Sequence, residues 1–166
     1  MSETQTPSRK PRWRRWLIEA LVLVAVVFGI HLYQTRTTVS GPAPSLEGVG
    51  LNGETLSLEA LRGQTVLVQF WATWCPVCRV QEGSIQAIAE DWPVLSVALE
   101  DTPLETLRAY MQKEGLSFPV LRDTDGALGK RYGVRGTPTS FIVDPAGQIR
   151  FTEVGYTTGW GRRFRV

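Results

Sequence analysis

Polar and apolar positions divide this chain into three regimes. Residues 1–12 are polar and proline-containing, and they carry too few apolar groups to pack, so they read as disordered. From Trp16 to Tyr33 the chain is apolar except for Glu19, Gly29 and His31. Residues 34–44 turn polar again with Gly41, Pro42 and Pro44, as a tether does. Beyond that, short apolar runs alternate with amphipathic ones, and a folded domain begins near residues 43–46.

The third regime predicts its elements in order. Leu51-Asn52-Gly53-Glu54 holds a hairpin turn signal between short strands. Residues 57–61 read as one helical turn, capped by Ser57 and ended by Gly63. Residues 65–71 form an unbroken β-prone run, the pattern of a central strand buried on both faces. A helix follows Cys75 and ends before Trp92-Pro93; residues 94–99 are a second buried strand. Asp101 or Thr102 can cap a helix with Pro103 at its first position, running to about Glu114 and stopped by Gly115. Residues 118–121 form a short extended piece. Asp123-Thr124-Asp125-Gly126 is a turn, since it lacks the spacing and distal Glu of a calcium loop. A short helix to about Tyr132 comes next. Residues 139–143 and 148–154 flank Asp144-Pro145-Ala146-Gly147 and make an antiparallel hairpin. Strand–helix–strand–helix followed by a hairpin indicates an α/β sandwich with parallel strands and an antiparallel edge.

The middle regime points to a membrane. Residues 16–33 approach the length needed to cross a hydrocarbon core of about 30 Å. Trp13 and Trp16 at one end and Tyr33 at the other resemble two aromatic belts. Glu19, within a turn of the basic end, can snorkel to the headgroups. A buried soluble helix is disfavoured because the span is apolar on every face. Charge sharpens this. The net charge of +2 hides five basic groups in residues 1–15 (Arg9, Lys10, Arg12, Arg14, Arg15) against Glu3. The positive-inside rule then puts the N-terminus in the cytoplasm and the body beyond the membrane. The competing reading is a cleaved signal peptide, but His31-Leu32-Tyr33-Gln34 is too bulky for a small-x-small cleavage site. The expected division is a cytoplasmic tail at 1–15, a transmembrane anchor at 16–33, a linker at 34–44 and a folded domain at 45–166. The other basic excess is Arg162, Arg163 and Arg165 at the tail; no basic stripe interleaved with aromatics crosses the body, which disfavours nucleic acid.

The chemistry lies in Cys75 and Cys78, the two cysteines of the chain. A disulfide closing so short a loop removes little unfolded-state entropy, so the pair is chemical rather than structural. Cys75 falls at a strand-to-helix junction with Pro76 in the first turn. Unpaired N–H groups and the helix dipole stabilise a negative sulfur there. Cys75, nearer the helix end and solvent, is the expected nucleophile in disulfide exchange, and Cys78 the resolving thiol. A metal reading needs three or four ligands. The only histidine, His31, lies in or beside the apolar span, and the methionines are Met1 and Met111. No cofactor is implied. Cys78, Glu82, Ile85, Ala89 and Trp92 form one helical stripe. Most of the stripe is core, so Glu82 is a carboxylate on its inward edge, suited to relay protons between the thiols and water. Alternatively Glu82 bends out to solvent or pairs with Arg79.

Phe70-Trp71-Ala72-Thr73-Trp74-Cys75-Pro76-Val77-Cys78 after an apolar strand, with Gly136-Thr137-Pro138 just before a later strand, resembles the thioredoxin fold from about Ala43 to Tyr156. The N-terminal anchor, the Trp-Cys-Pro-x-Cys variant and Glu82 resemble the membrane-anchored, periplasm-facing disulfide oxidoreductases of the TlpA/DsbE/ScsD type. The resemblance implies a mixed sheet flanked by helices behind a single transmembrane helix of a bacterial inner membrane, with the catalytic domain in the periplasm. It implies that Pro138 is a cis-proline facing the dithiol. Thr137 then offers its backbone to substrate, and Trp74 and Pro76 belong to the substrate face. Gln69 stands where cytosolic thioredoxins keep a buried Asp, which raises the interest of Glu82. The implied activity is reduction of disulfides in periplasmic proteins, in cytochrome c maturation or metal stress, with a transmembrane thiol reductase of the DsbD kind as electron donor. Two rivals stay open: a net oxidant that introduces disulfides, and a copper- or zinc-binding thiol module. The residues from Gly159 onward are short for the closing helix.

Overall fold

The computed structural model describes residues 12–35 and 38–156. Most of the expected polar tail, residues 1–11, and the short C-terminal tail, residues 157–166, lie outside the described residues. The chain divides into two compact units, Met1–Tyr33 and Gln34–Val166.

The first unit is carried by helix α1, Arg12–Thr35. Its described Leu, Ile and Val side chains, Leu17 to Ile30, are exposed, Leu21 at 68% and Val24 at 64% among them, and Arg15 pairs with Glu19 at 3.2 Å. The expected span over residues 16–33 extends beyond the described side chains, which stop at Ile30. Among the described residues no helix is long and apolar enough to cross a membrane.

The second unit is built on strand β4 (Val66–Trp71), all six residues of which are buried. β5 (Val94–Ala98) pairs parallel to it, and β6 (Val120–Arg122) parallel to β5. On its other side β7 (Thr139–Val143) and β8 (Gln148–Val154) run antiparallel, and the short β1 (Gly41–Pro42) closes that edge. The sheet order is β1-β8-β7-β4-β5-β6. A separate hairpin, β2 (Glu47–Val49) and β3 (Thr55–Ser57), turns at Gly53, whose φ of +86° only glycine adopts readily. The mixed sheet flanked by helices agrees with the α/β expectation.

Alternation along β4 explains the two layers. Leu67 and Trp71 point to one face, where helix α2 (Pro76–Asp91) and helix α3 (Leu104–Lys113) pack through Ile85, Ile88, Leu107 and Met111. Val66, Val68 and Phe70 point to the other, onto Leu46, Tyr132 and Phe141. Phe70, Tyr132 and Phe141 meet with ring centroids 5.1–5.8 Å apart. The short helix α4 (Ala127–Arg131) is held there by buried Asp123, whose carboxylate accepts from the N–H groups of Leu128 and Gly129.

Two local expectations change. The single turn near Ser57 is a 3₁₀ turn over Glu59–Leu61, with Ser57 Oγ accepting from Glu59 N. Helix α3 starts one residue later than expected and has no side-chain cap. Thr102 lies one residue outside the N-cap position, which Pro103 fills, and its hydroxyl donates to Glu100 at 2.8 Å.

Candidate active site

β4 and β5 end side by side, since Leu99 N donates to Trp71 O across the parallel pair. The chain leaving β4 therefore turns beside the residues that leave β5. Thr73 is fastened at every polar group it has. Its N–H and hydroxyl donate to the two carboxylate oxygens of Glu100 at 3.0 and 2.8 Å, and its carbonyl accepts from Arg79 Nε at 2.9 Å. This clamp fixes the strand-to-helix turn and so presents Trp74 and Cys75.

Cys75 is the N-cap of α2, with extended backbone and Pro76 at the first helical position. Its sulfur takes the place that a Ser or Asp oxygen usually fills, accepting from Cys78 N at 3.3 Å. On its other side Cys75 Sγ lies 3.5 Å from the Thr137 carbonyl. The thiol form donates there; the thiolate accepts from the Thr137 hydroxyl. The Thr137–Pro138 bond is cis. That loop is tied to its surroundings: Gly155 N donates to Pro138 O at 2.8 Å, and buried Gln81 of α2 reaches Gly155 O at 3.0 Å. The structure thus brings Cys75, Cys78, Thr137 and Pro138 together.

Both cysteines are free thiols and nearly buried, Cys75 4% exposed and Cys78 2%. Cys75 is the nearer of the two to solvent, as expected, but the difference is small, and hydrogen bonding separates them further. Burial pushes the Cys75 thiol up, but hydrogen bonds from the Cys78 thiol, Thr137 and the backbone N–H groups of Cys78 and Val77 outweigh it. Cys75 thus ionises below the ordinary 9.0. Burial and the hydrogen bond it gives to Cys75 push Cys78 up to about 12. One sulfur thus gives up its proton more readily than an ordinary thiol, and its neighbour holds its proton more tightly. Around them Trp74 is 63% exposed, Val77 40% and Val80 68%, and Pro76 is exposed as well. These apolar groups flank the two cysteines in the chain and bury little of their own area.

Glu82 does not bend out to solvent. It is 8% exposed, and Oε1 accepts from the Tyr110 hydroxyl at 2.6 Å. The Arg79 guanidinium is instead spent on Thr73. Burial raises the Glu82 carboxyl, the Tyr110 hydrogen bond opposes, the Glu114 charge raises and the Arg79 charge lowers it; the net direction is up. Gln69 is buried and accepts from the Ser140 hydroxyl at 2.6 Å. Among the described residues no three His, Cys, Asp or Glu side chains gather as a donor set for a metal.

Sequence reasoning missed Glu100 and Tyr110. An acid directly after the second parallel strand was a usable signal, because the carboxyl ends of neighbouring parallel strands meet. Tyr110 follows Leu107 by three on the inner face of α3, but nothing in the chain indicates which group on α2 it meets.

The model of the AhpC/TSA family matches residues 39–152. The chain is 38% identical over 144 residues to the thiol:disulfide interchange protein DsbE of Allochromatium vinosum, covering 81% of this chain and 79% of that one. It is 32% identical over 158 residues to the thioredoxin-like protein YneN of Bacillus subtilis, covering 87% and 92%. A thiol:disulfide interchange protein of the thioredoxin family from Chlorobium tepidum superimposes with a TM-score of 0.65 at 29% identity, covering 74% of this chain and 90% of that structure.

Proposed function

Since this chain belongs to the AhpC/TSA family and is a protein disulfide oxidoreductase with a thioredoxin fold, we propose that it works as a membrane-tethered, periplasm-facing reductant of disulfides in other proteins. The asymmetry of the two sulfurs carries this reading. The Cys75 thiolate attacks one sulfur of a substrate disulfide; a Cys75–substrate disulfide forms, and the other substrate sulfur leaves as a thiolate and takes a proton from water. Cys78 gives its proton to Glu82 and attacks Cys75 Sγ. The mixed disulfide breaks, the second substrate sulfur leaves and is protonated, and the Cys75–Cys78 disulfide remains. Two electrons have passed to the substrate.

Trp74, Pro76, Thr137 and Pro138 form the substrate face. The half-buried Thr137 backbone beside Cys75 Sγ offers an extended segment its hydrogen bonds, and the exposed Trp74 ring offers apolar area. A second dithiol protein, a transmembrane thiol reductase, returns the oxidised pair to the dithiol. The proposed tether is helix α1, whose apolar side chains from Trp16 to Ile30 are exposed. The basic groups before it orient the N-terminus to the cytoplasm. On this reading the linker is the part of residues 34–44 that precedes β1, since Gly41–Pro42 already belongs to the sheet. Tethering raises the effective concentration of membrane-bound partners.

Incubating the full chain with a peptide disulfide tests this. Cys78→Ala is expected to stall as a mixed disulfide through Cys75, and Cys75→Ala to form none. A reduction potential near −270 mV supports net reduction, whereas one near −120 mV would make the protein a net oxidant and overturn the proposed direction.

A further inference from the structure

Tyr110 lies on α3, off the strand-to-helix turn that carries the dithiol, yet its hydroxyl makes the 2.6 Å bond to the buried Glu82 carboxylate. Its ring is held in place independently of that bond. It packs on Trp71 with centroids 6.1 Å apart, and Trp71 is pinned by its own Nε1 bond to Ser96 Oγ at 3.2 Å and by Phe118 edge-on at 5.9 Å. Ser96 in turn donates to Pro119 O at 2.8 Å. A chain of fixed groups thus runs from the central strands through Trp71 and Tyr110 to Glu82. Glu82 follows Cys78 by four residues on α2, the spacing that puts two side chains on one helix face.

We propose that Tyr110 is a positioning residue for the resolving step: its hydroxyl keeps the buried Glu82 side chain ionised and aimed, ready to take the Cys78 proton. This rests on the dithiol mechanism above and deepens it. The need arises from conflicting demands on Glu82. Burial makes a carboxylate a stronger base, which suits removal of a proton from a thiol, but it also favours the protonated form that cannot accept one. A donor fixed on the carboxylate stabilises the ionised form without exposing it to water. The other charged groups facing Glu82 do not replace it. Arg79, on the same helix, is bound to the Thr73 carbonyl, and Glu114 at the end of α3 repels the carboxylate. In the resolving step the proton moves from Cys78 to Glu82, the Cys78 sulfur bonds to Cys75 Sγ, and the Cys75–substrate bond breaks with its electron pair on the departing sulfur. The proton then leaves Glu82 to water or to that sulfur.

Dithiobis-nitrobenzoate separates the steps on the reduced full chain: attack by Cys75 releases one coloured thiolate and resolution by Cys78 a second, neither needing a proton to leave. In Tyr110→Phe, which keeps the ring on Trp71, the first release is expected at the wild-type rate. The second slows about tenfold at neutral pH. Its pH profile moves alkaline, so that wild-type speed returns or is exceeded at high pH. Glu82→Gln slows the second release as well, and adding Tyr110→Phe to it changes nothing further. Three results overturn the proposal alone: an unchanged second release in Tyr110→Phe, a slowing equal at every pH, or an effect that adds to that of Glu82→Gln. A wild-type chain that releases one thiolate and no second removes the resolving role of Cys78, and the proposal falls with it.

Discussion

Raising the pH on the reduced protein should destabilise it through one buried thiol. Cys78 is 2% exposed and keeps its proton to about 12, whereas in the unfolded chain it titrates near the ordinary 9.0. Below 9 both states carry the proton and the folded state has the full advantage of an uncharged buried sulfur. Above 9 the unfolded chain loses the proton and the folded one does not, so stability falls as pH rises, and it goes on falling to about 12. Three pH units at about 1.36 kcal/mol each set a ceiling of about 4 kcal/mol. Between pH 9 and 10 the loss from Cys78 is about 1 kcal/mol, because the unfolded thiol is only half ionised at the start. Cys75 works in the opposite sense. Its folded pKa is depressed, so its contribution is lost as pH falls through that value and is complete above 9; over the same interval it offsets part of the Cys78 loss. Tyr110 and Tyr132, both raised by burial, add their own losses above pH 10, so the measurement belongs between pH 8 and 10. The assay is denaturant unfolding under reducing conditions, wild type against Cys78→Ser. The wild type is expected to lose about 1 kcal/mol more than the variant from pH 9 to 10. Equal pH dependence in the two proteins would refute the account of Cys78 as a thiol kept protonated by burial. It would also remove the reason that the resolving step needs a base.

Two further outcomes follow from the geometry. Glu100→Ala strands the Thr73 N–H and the Thr73 and Thr102 hydroxyls, and is expected to cost about 2–4 kcal/mol by denaturant unfolding and to slow alkylation of Cys75, while Glu100→Gln, which retains an acceptor oxygen, costs less; a loss below about 1 kcal/mol for the alanine variant counts against the clamp. Trp74→Ala, at a side chain 63% exposed, is expected to leave stability within about 0.5 kcal/mol and to slow reduction of a protein disulfide about tenfold while sparing dithiobis-nitrobenzoate; equal slowing with both substrates counts against Trp74 as a docking group.

The fold was largely legible along the chain because its signals are local. An unbroken β-prone run can only be a strand buried on both faces, and β4 is one. Pro76 after Cys75 starts a helix, and Asp144-Pro145-Ala146-Gly147 turns a hairpin. The cap of α3 was misjudged by one residue: the helix begins at Leu104, so Pro103, which has no capping oxygen in its side chain, takes the N-cap position and leaves Asp101 and Thr102 outside it. The stripe on α2 was read correctly for Cys78, Glu82 and Ile85, but it left out buried Gln81 and Ile88, since the buried face is wider than one line of residues.

Local signals along the chain suffice to place a cysteine pair at the start of a helix behind a buried strand. Strand propensity, a proline and spacing decide that within a few residues of one another. That Cys75 is the more acidic of the two was legible from the helix N-terminus, but the full set of groups that make it so is set by tertiary structure. Both sulfurs are nearly buried, and the difference arises from Thr137, sixty-two residues away, and from the N–H groups of the first turn. The fate of Glu82 was decided in the same way. A carboxylate on an inward helix edge has no fixed protonation preference until its neighbours are known, and Tyr110 comes from another helix, twenty-eight residues on. Charge stabilisation depends on distances between groups, and for groups far apart in the chain only the packed fold sets those distances.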